Sequence, residues 1–138
     1  MFFFQFPWLP EALLGAAEGA LTVRAMSRET VRPDAFSESD LRQYAAALCR
    51  PGVLTAAINY YRVALRHIGR TAQSIRPIAA PTLLIWGMKD RYLSPRLTEG
   101  LNAWVPNLRV VRLDASHWVQ NDAPEEVNRC LLKFLASS

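Results

Sequence analysis

Apolar positions along the chain follow two different rhythms. From Phe2 to about Ala72 they recur at helical spacing, and from Pro81 onward short apolar runs alternate with amphipathic stretches. In the first part, "PWLPEALLGAAEGAL" opens with prolines that suit a first helical turn and continues with helix formers. "SESDLRQYAAALCR" has Ser37 as its N-cap, with Asp40 as a carboxylate near the helix start. "PGVLTAAINYYRVALRHIG" predicts a helix that opens at Pro51 and closes at Gly69. The polar stretch "SRETVRPDAF" between the first two helices reads as a loop.

In the second part, "PTLLIWG" (Pro81–Gly87) is a continuous apolar run between Pro and Gly, the pattern of a strand buried on both faces. "LSPRLTEGLNAWVP" predicts an amphipathic helix with Leu97, Leu101 and Trp104 on one side. "LRVVRLD" (Leu108–Asp114) predicts the next strand. "APEEVNRCLLKFLASS" predicts a closing helix with Pro124 in its first turn and Val127, Leu131, Leu132 and Leu135 as its apolar stripe. The order strand–helix–strand–helix with short connections is a βαβα unit of an α/β fold with parallel strands. Two parallel strands do not make a stable sheet by themselves, because parallel sheets are covered on both faces and use several strands. The sheet is therefore expected to be incomplete, with an open edge and the character of the end of something larger.

Composition narrows the function classes. The 138 residues and 51% hydrophobic content suffice for one ordinary core. Lys and Arg number 16 against 12 Asp and Glu, a mild excess of +4. Arg62, Arg66 and Arg70 share one helical face, read as a solvated stripe rather than a nucleic-acid site, since no aromatic–basic interleaving accompanies it. Cys49 and Cys130 fit no metal-ligand spacing and are expected to be reduced, buried thiols. No run approaches the ~18 apolar residues of a transmembrane helix. The opening "MFFFQFPWLPEALLGAA" lacks the positive start of a signal peptide and is interrupted by prolines and Glu11. A cytoplasmic protein without a stable membrane anchor, metal or cofactor is the expectation.

The chemistry concentrates at two strand ends, where open α/β sheets collect their functional groups. "WGMKD" places Asp90 three residues beyond Gly87, and "DASHW" places His117 three residues beyond Asp114. Adjacent parallel strands lie about 4.8 Å apart, so loops leaving the same end can bring the two together. A carboxylate bonded to Nδ1–H of the imidazole fixes the tautomer and leaves Nε2 to take a proton. The alternatives are a surface Asp near a helix N-terminus and a capped structural His.

"PTLLIWGMKDRYLSP" followed by "VPNLRVVRLDASHWVQNDAPEEVNRCLLKFL" resembles the last third of an α/β-hydrolase, most closely the epoxide hydrolases with an aspartate nucleophile. The 27-residue separation of Asp90 and His117 suits the acid and base of that family. "FFFQFPWLPE" and "PGVLTAAINYYR" resemble its helical cap, so the resemblance covers essentially the whole chain. It implies residues 1–72 as the cap (lid) segment and 73–138 as the C-terminal βαβα part of the hydrolase core. It implies Asp90 as acid, His117 as the base that activates water, and Tyr61 as a cap tyrosine that hydrogen-bonds the epoxide oxygen. Trp118 and Tyr60 are candidate pocket residues, although Tyr60 and Tyr61 also read as core aromatics of their helix. Ser116 departs from the Gly that many members have before the His; it is not at a nucleophile elbow.

The larger departure lies upstream. The family's nucleophile motif, such as His-Asp-Trp-Gly-Gly, and its His-Gly-x-Pro oxyanion segment are not in this sequence, and the second cap tyrosine would fall just before Met1. The expectation is thus a C-terminal fragment that holds acid and base without nucleophile, and that is inactive alone. Its substrate, once completed by the missing N-terminal part, would be a small apolar epoxide. Dehalogenase-like or ester-hydrolase chemistry, or a non-catalytic partner-binding module, remain open, as does the oligomeric state.

Overall fold

A computed structural model describes residues 2–67 and 76–137. The chain divides into two compact units, Met1–Arg28 with Phe36–Ile75, and Glu29–Ala35 with Arg76–Ser138. The first is helical, with α1 (Leu9–Gly15), α2 (Ala20–Ser27), α3 (Glu38–Leu48) and α4 (Val53–Arg66). The single helix expected across Pro7–Leu21 is broken. Ala17, Glu18 and Gly19 all take left-handed backbone angles, so the chain turns sharply between α1 and α2. The Thr22 hydroxyl donates to the Leu14 carbonyl at 2.9 Å, satisfying one of the orphan acceptors at the end of α1.

The α3 start is as expected, with both halves of a capping box. Asp40 N–H donates to Ser37 Oγ, and Ser37 N–H donates to Asp40 Oδ2. The α4 helix starts at Val53, after Gly52 at φ 79°, rather than at Pro51, and Gly69 lies outside the described residues. Val23 and Ile58 form the heart of this unit.

Of the arginine stripe, Arg62 is not solvated as its spacing suggests. Arg62 donates to the carbonyls of Phe4 and Phe6, each at 2.8 Å, and to both carboxylate oxygens of Glu11 at 2.7 and 3.2 Å. A planar guanidinium can satisfy all these acceptors at once, and so it fastens the N-terminal segment to α4. Arg66 is exposed and Arg70 lies outside the described residues. Cys49 is also exposed rather than buried, and Cys130 is half-buried.

The second unit is built on two parallel strands, β1 (Thr82–Gly87) and β2 (Leu108–Leu113), in register from Thr82 opposite Leu108 to Gly87 opposite Leu113. Among the described residues these are the only two strands of the sheet. Residues 82–86 are half-buried, not buried on both faces as the apolar run suggests, because a two-stranded sheet offers neighbours on one edge only.

The amphipathic helix expected between the strands is absent. Two short 3-10 turns, Pro95–Thr98 and Leu101–Ala103, replace it, separated by Glu99 in an extended conformation and Gly100 at φ 68°. Leu97 and Trp104 are consequently exposed, and the buried residue is Thr98. Its hydroxyl donates to the Pro95 carbonyl and accepts from the Arg112 guanidinium. After β2 come the one-turn α5 (Val119–Asp122) and α6 (Pro124–Leu135). On α6, Val127 is buried, whereas Leu131, Leu132 and Leu135 stay exposed, so the expected stripe is covered only at its start. Among the described residues, no helix is long and apolar enough to cross a membrane.

The ladder continues past the strand ends. Met88 N–H donates to Leu113 O at 2.8 Å and Lys89 N–H to Ala115 O at 2.9 Å. This draws the backbone of residues 115–116 across Gly87. A Cβ there would sit 2.5 Å from the Ala115 carbonyl oxygen and nearer still to that of Ser116. Gly87 is therefore required by close approach. Gly87→Ala is expected to lower stability by about 1–3 kcal/mol or more, because the obstacle is backbone and cannot swing aside. The denaturation midpoint measures this; an unchanged midpoint would show that the two loops do not meet this closely.

Candidate active site

The loop after β1 delivers Asp90, whose carboxylate is 5% exposed. Oδ1 accepts the backbone N–H groups of Tyr92 at 2.8 Å and Leu93 at 2.9 Å, which fixes the plane of the group. Oδ2 lies 2.8 Å from Nδ1 of His117, delivered by the loop after β2. Burial pushes the Asp90 carboxyl up. The bonds from His117 and from the Leu93 and Tyr92 amides outweigh it, and the net direction is below the ordinary value of 3.8. Asp90 is thus ionised at neutral pH and can only accept. The shared proton therefore sits on Nδ1, and the lone pair of the neutral imidazole is on Nε2.

Aromatic rings flank the imidazole on two sides. The Tyr92 ring stands edge-on at 5.1 Å and the Trp118 ring at 5.3 Å, nearly perpendicular. The Tyr92 phenol is pushed up to about 12 by burial and by the neighbouring Glu29 carboxylate, so it stays neutral. His117 keeps 35% of its side chain accessible. A reacting water can reach this ring while the carboxylate behind it stays dry. The pair can accept one proton at Nε2 and hold the resulting imidazolium against Asp90.

The loop carrying His117 is itself buried, with Ala115 and Ser116 almost fully enclosed. Ser116 is placed for structure, its N–H donating to Asp122 Oδ2 at 2.7 Å and its Oγ accepting from Trp118 N–H at 3.1 Å. Asp122, 5% exposed, takes two further N–H groups on its other oxygen, from Val31 at 2.9 Å and Arg32 at 3.0 Å. Burial again raises its carboxyl, and the Ser116 hydroxyl with the Arg32, Ser116 and Val31 amides carries the net value below 3.8.

Of the residues singled out from sequence, Asp90, His117 and Trp118 lie together in the second unit. Tyr60 and Tyr61 lie on α4 in the first unit. Tyr61 packs on Phe4 with ring centroids 4.9 Å apart and remains partly exposed, and Tyr60 is largely exposed. Sequence reading missed Tyr92 and Asp122. Tyr92 stands two residues from the acid, a proximity that could have flagged it. Asp122 carried no such signal, because its partners at 31 and 32 are distant in the chain. Among the described residues, no group of three or more His, Cys, Asp or Glu side chains could hold a metal ion.

Comparison with known proteins identifies the fold family. A family model described as the alpha/beta hydrolase fold matches residues 5–124. The chain is 37% identical over 134 residues to the AB hydrolase superfamily protein YfhM of Bacillus subtilis, covering 96% of this chain and 46% of that protein. It is 30% identical over 138 residues to Epoxide hydrolase 3 of Mus musculus, covering 98% of this chain and 37% of that one. Among solved structures, an epoxide hydrolase from Bacillus megaterium bound to its diol product superposes with a TM-score of 0.78. It is 23% identical, and the match covers 97% of this chain and 49% of that chain. The fold of the chain is accordingly that of the α/β-hydrolases, with a parallel sheet of two strands among the described residues. The chain spans less than half the length of the curated relatives it matches.

Both buried carboxyls have folded values below 3.8, so the unfolded chain binds more protons as the pH drops. Their stabilisation is complete above a pH of about 4 and is lost as the pH falls through the two folded values. Glu11, Asp34 and Asp40 are lowered as well, so the difference between wild type and a variant isolates the site. Melting temperature is expected to fall below a pH of about 4. In Asp90→Asn that decline should be shallower; an identical acid limb would show that the Asp90 bonds do not form in solution.

Proposed function

The chain belongs to the α/β-hydrolase fold family, and from that membership we propose that it serves the opening of epoxides to diols through an aspartyl ester. The single observation that carries the reading is the Asp90–His117 pair, with Nδ1 tied at 2.8 Å and Nε2 free to work on water. The epoxide hydrolases among its relatives favour epoxides over other substrates of the fold.

In this reading a carboxylate attacks one carbon of the epoxide, forming a C–O ester bond as the ring C–O bond breaks. Tyr61 donates its phenol O–H proton towards the alkoxide that forms. His117 Nε2 then takes a proton from water, and the hydroxide attacks the ester carbonyl. The acyl C–O bond of the tetrahedral adduct then breaks, and the proton held at His117 Nε2 goes to the departing alkoxide as the diol leaves. The proton of the new carboxyl group restores the Tyr61 phenol, which returns the carboxylate and the neutral imidazole. Asp90 steadies the imidazolium during this step. Trp118, beside His117, would contact a small apolar epoxide. The attacking carboxylate and the oxyanion donors are not assigned to residues of this chain. Catalysis by such a set is strongly non-additive, so the 138-residue chain alone should stay near background.

Joining the chain in frame behind the first half of the Bacillus subtilis relative tests the reading. Styrene oxide should be converted to its diol, and His117→Ala should reduce turnover by about 10²–10⁴-fold. Hydrolysis of aryl esters without diol formation would replace the epoxide reading with ester hydrolysis. Diol formation by the 138-residue chain alone, abolished by His117→Ala, would overturn the assignment of the nucleophile elsewhere.

A further inference from the structure

We propose that Asp122 is a positioning residue for His117: its two oxygens lock the backbone that presents the base and couple that lock to the Glu29–Ala35 segment. The inference rests on the reading of His117 as the base, and its geometry involves no residue of the acid–base pair directly. One oxygen accepts the Ser116 N–H at 2.7 Å, immediately before His117. The other accepts Val31 N–H at 2.9 Å and Arg32 N–H at 3.0 Å. Ser116 Oγ then accepts the Trp118 N–H at 3.1 Å. The amides on both sides of His117 are thereby held, one by Asp122 and one by the serine that Asp122 anchors.

The division of labour follows from chemistry. Three N–H groups converge on a site 5% exposed, and only a carboxylate offers an acceptor oxygen in both directions. Bonds from backbone N–H to an ionised carboxylate are short and strong. An uncharged side chain there would leave at least one donor buried without a partner. A displacement of about 1 Å at a catalytic group can cost on the order of 10²-fold in rate, so this lock bears on the base even though Asp122 touches no reacting atom.

The segment it grips is unusual in the chain. Glu29–Ala35 lies between α2 and α3 in sequence, yet it clusters with Arg76–Ser138. Asn121, the residue before Asp122, adds a long contact of 3.5 Å from its amide to the Ala35 carbonyl. The base and this segment therefore share one carboxylate, and loosening either should loosen the other.

Nuclear magnetic resonance on the full chain tests this without turnover. In the wild type, the hydrogen-bonded Nδ1–H proton of His117 should be visible, and the ring nitrogens should report the Nδ1–H tautomer. In Asp122→Asn, one of the two acceptor oxygens is replaced by a donor. The amides of Val31, Arg32 and Ser116 should then exchange about tenfold faster or more, and the Nδ1–H signal should be lost. Asp122→Glu, which keeps both oxygens, should restore the signal at least partly. Faster exchange at Val31 and Arg32 with an unmoved His117 tautomer and Nδ1–H signal would make Asp122 a clasp for the segment alone and overturn the proposal. If Asp122→Asn does not fold, wild-type exchange decides: a common opening rate for Val31, Arg32 and Ser116 supports the coupling, and unrelated rates overturn it. Failure of the epoxide reading would appear in the turnover assay and would leave these signals as they are.

Discussion

The near-contact between the ends of the two strands is the constraint on which the rest of the site depends. The parallel ladder runs on from Gly87 through Met88 and Lys89, which bond to Leu113 and Ala115. That pairing brings the backbone of residues 115–116 over a position where no side chain fits. Once the loops are this close, Asp90 and His117 meet although 27 residues separate them. The geometry of the Asp90–His117 pair is thus inherited from backbone hydrogen bonding, and the side chains complete it.

Two buried carboxylates then perform opposite tasks with the same chemistry. Asp90 spends one oxygen on backbone amides and the other on the imidazole of His117, which orients the ring. Asp122 spends both oxygens on backbone amides, and its charge is used to hold chain segments together. Each is raised by burial and brought back down by its donors. The difference lies in what the donors belong to. An imidazole can give and take a proton, whereas an amide cannot, so one carboxylate holds a titratable ring and the other holds only backbone.

The helical unit shows how a polar residue can be misread from its spacing. Arg62 sits at the start of an every-fourth-residue stripe, the usual mark of a solvated face. In the fold it closes four hydrogen bonds to Phe4, Phe6 and Glu11, some fifty residues upstream. Periodicity reports which residues share a face and carries no information on what that face meets. The same limit explains the segment 95–105, where a leucine stripe was overruled by Gly100 and an extended Glu99.

What the sequence determined by itself was local and chemical. The capping box of Ser37 and Asp40, both strands, the closing helix at Pro124, and the pairing of Asp90 with His117 are all legible from residue type and short spacing, and each is present. The tertiary structure alone decided which faces are covered. It left Leu132 and Leu135 exposed, enclosed Thr98 and Ser116, and recruited Val31 and Arg32 to a carboxylate some ninety residues away. The physical reason is that hydrogen bonds within a turn depend on spacing along the chain. Burial, and bonds between distant segments, depend on which surfaces the fold brings together.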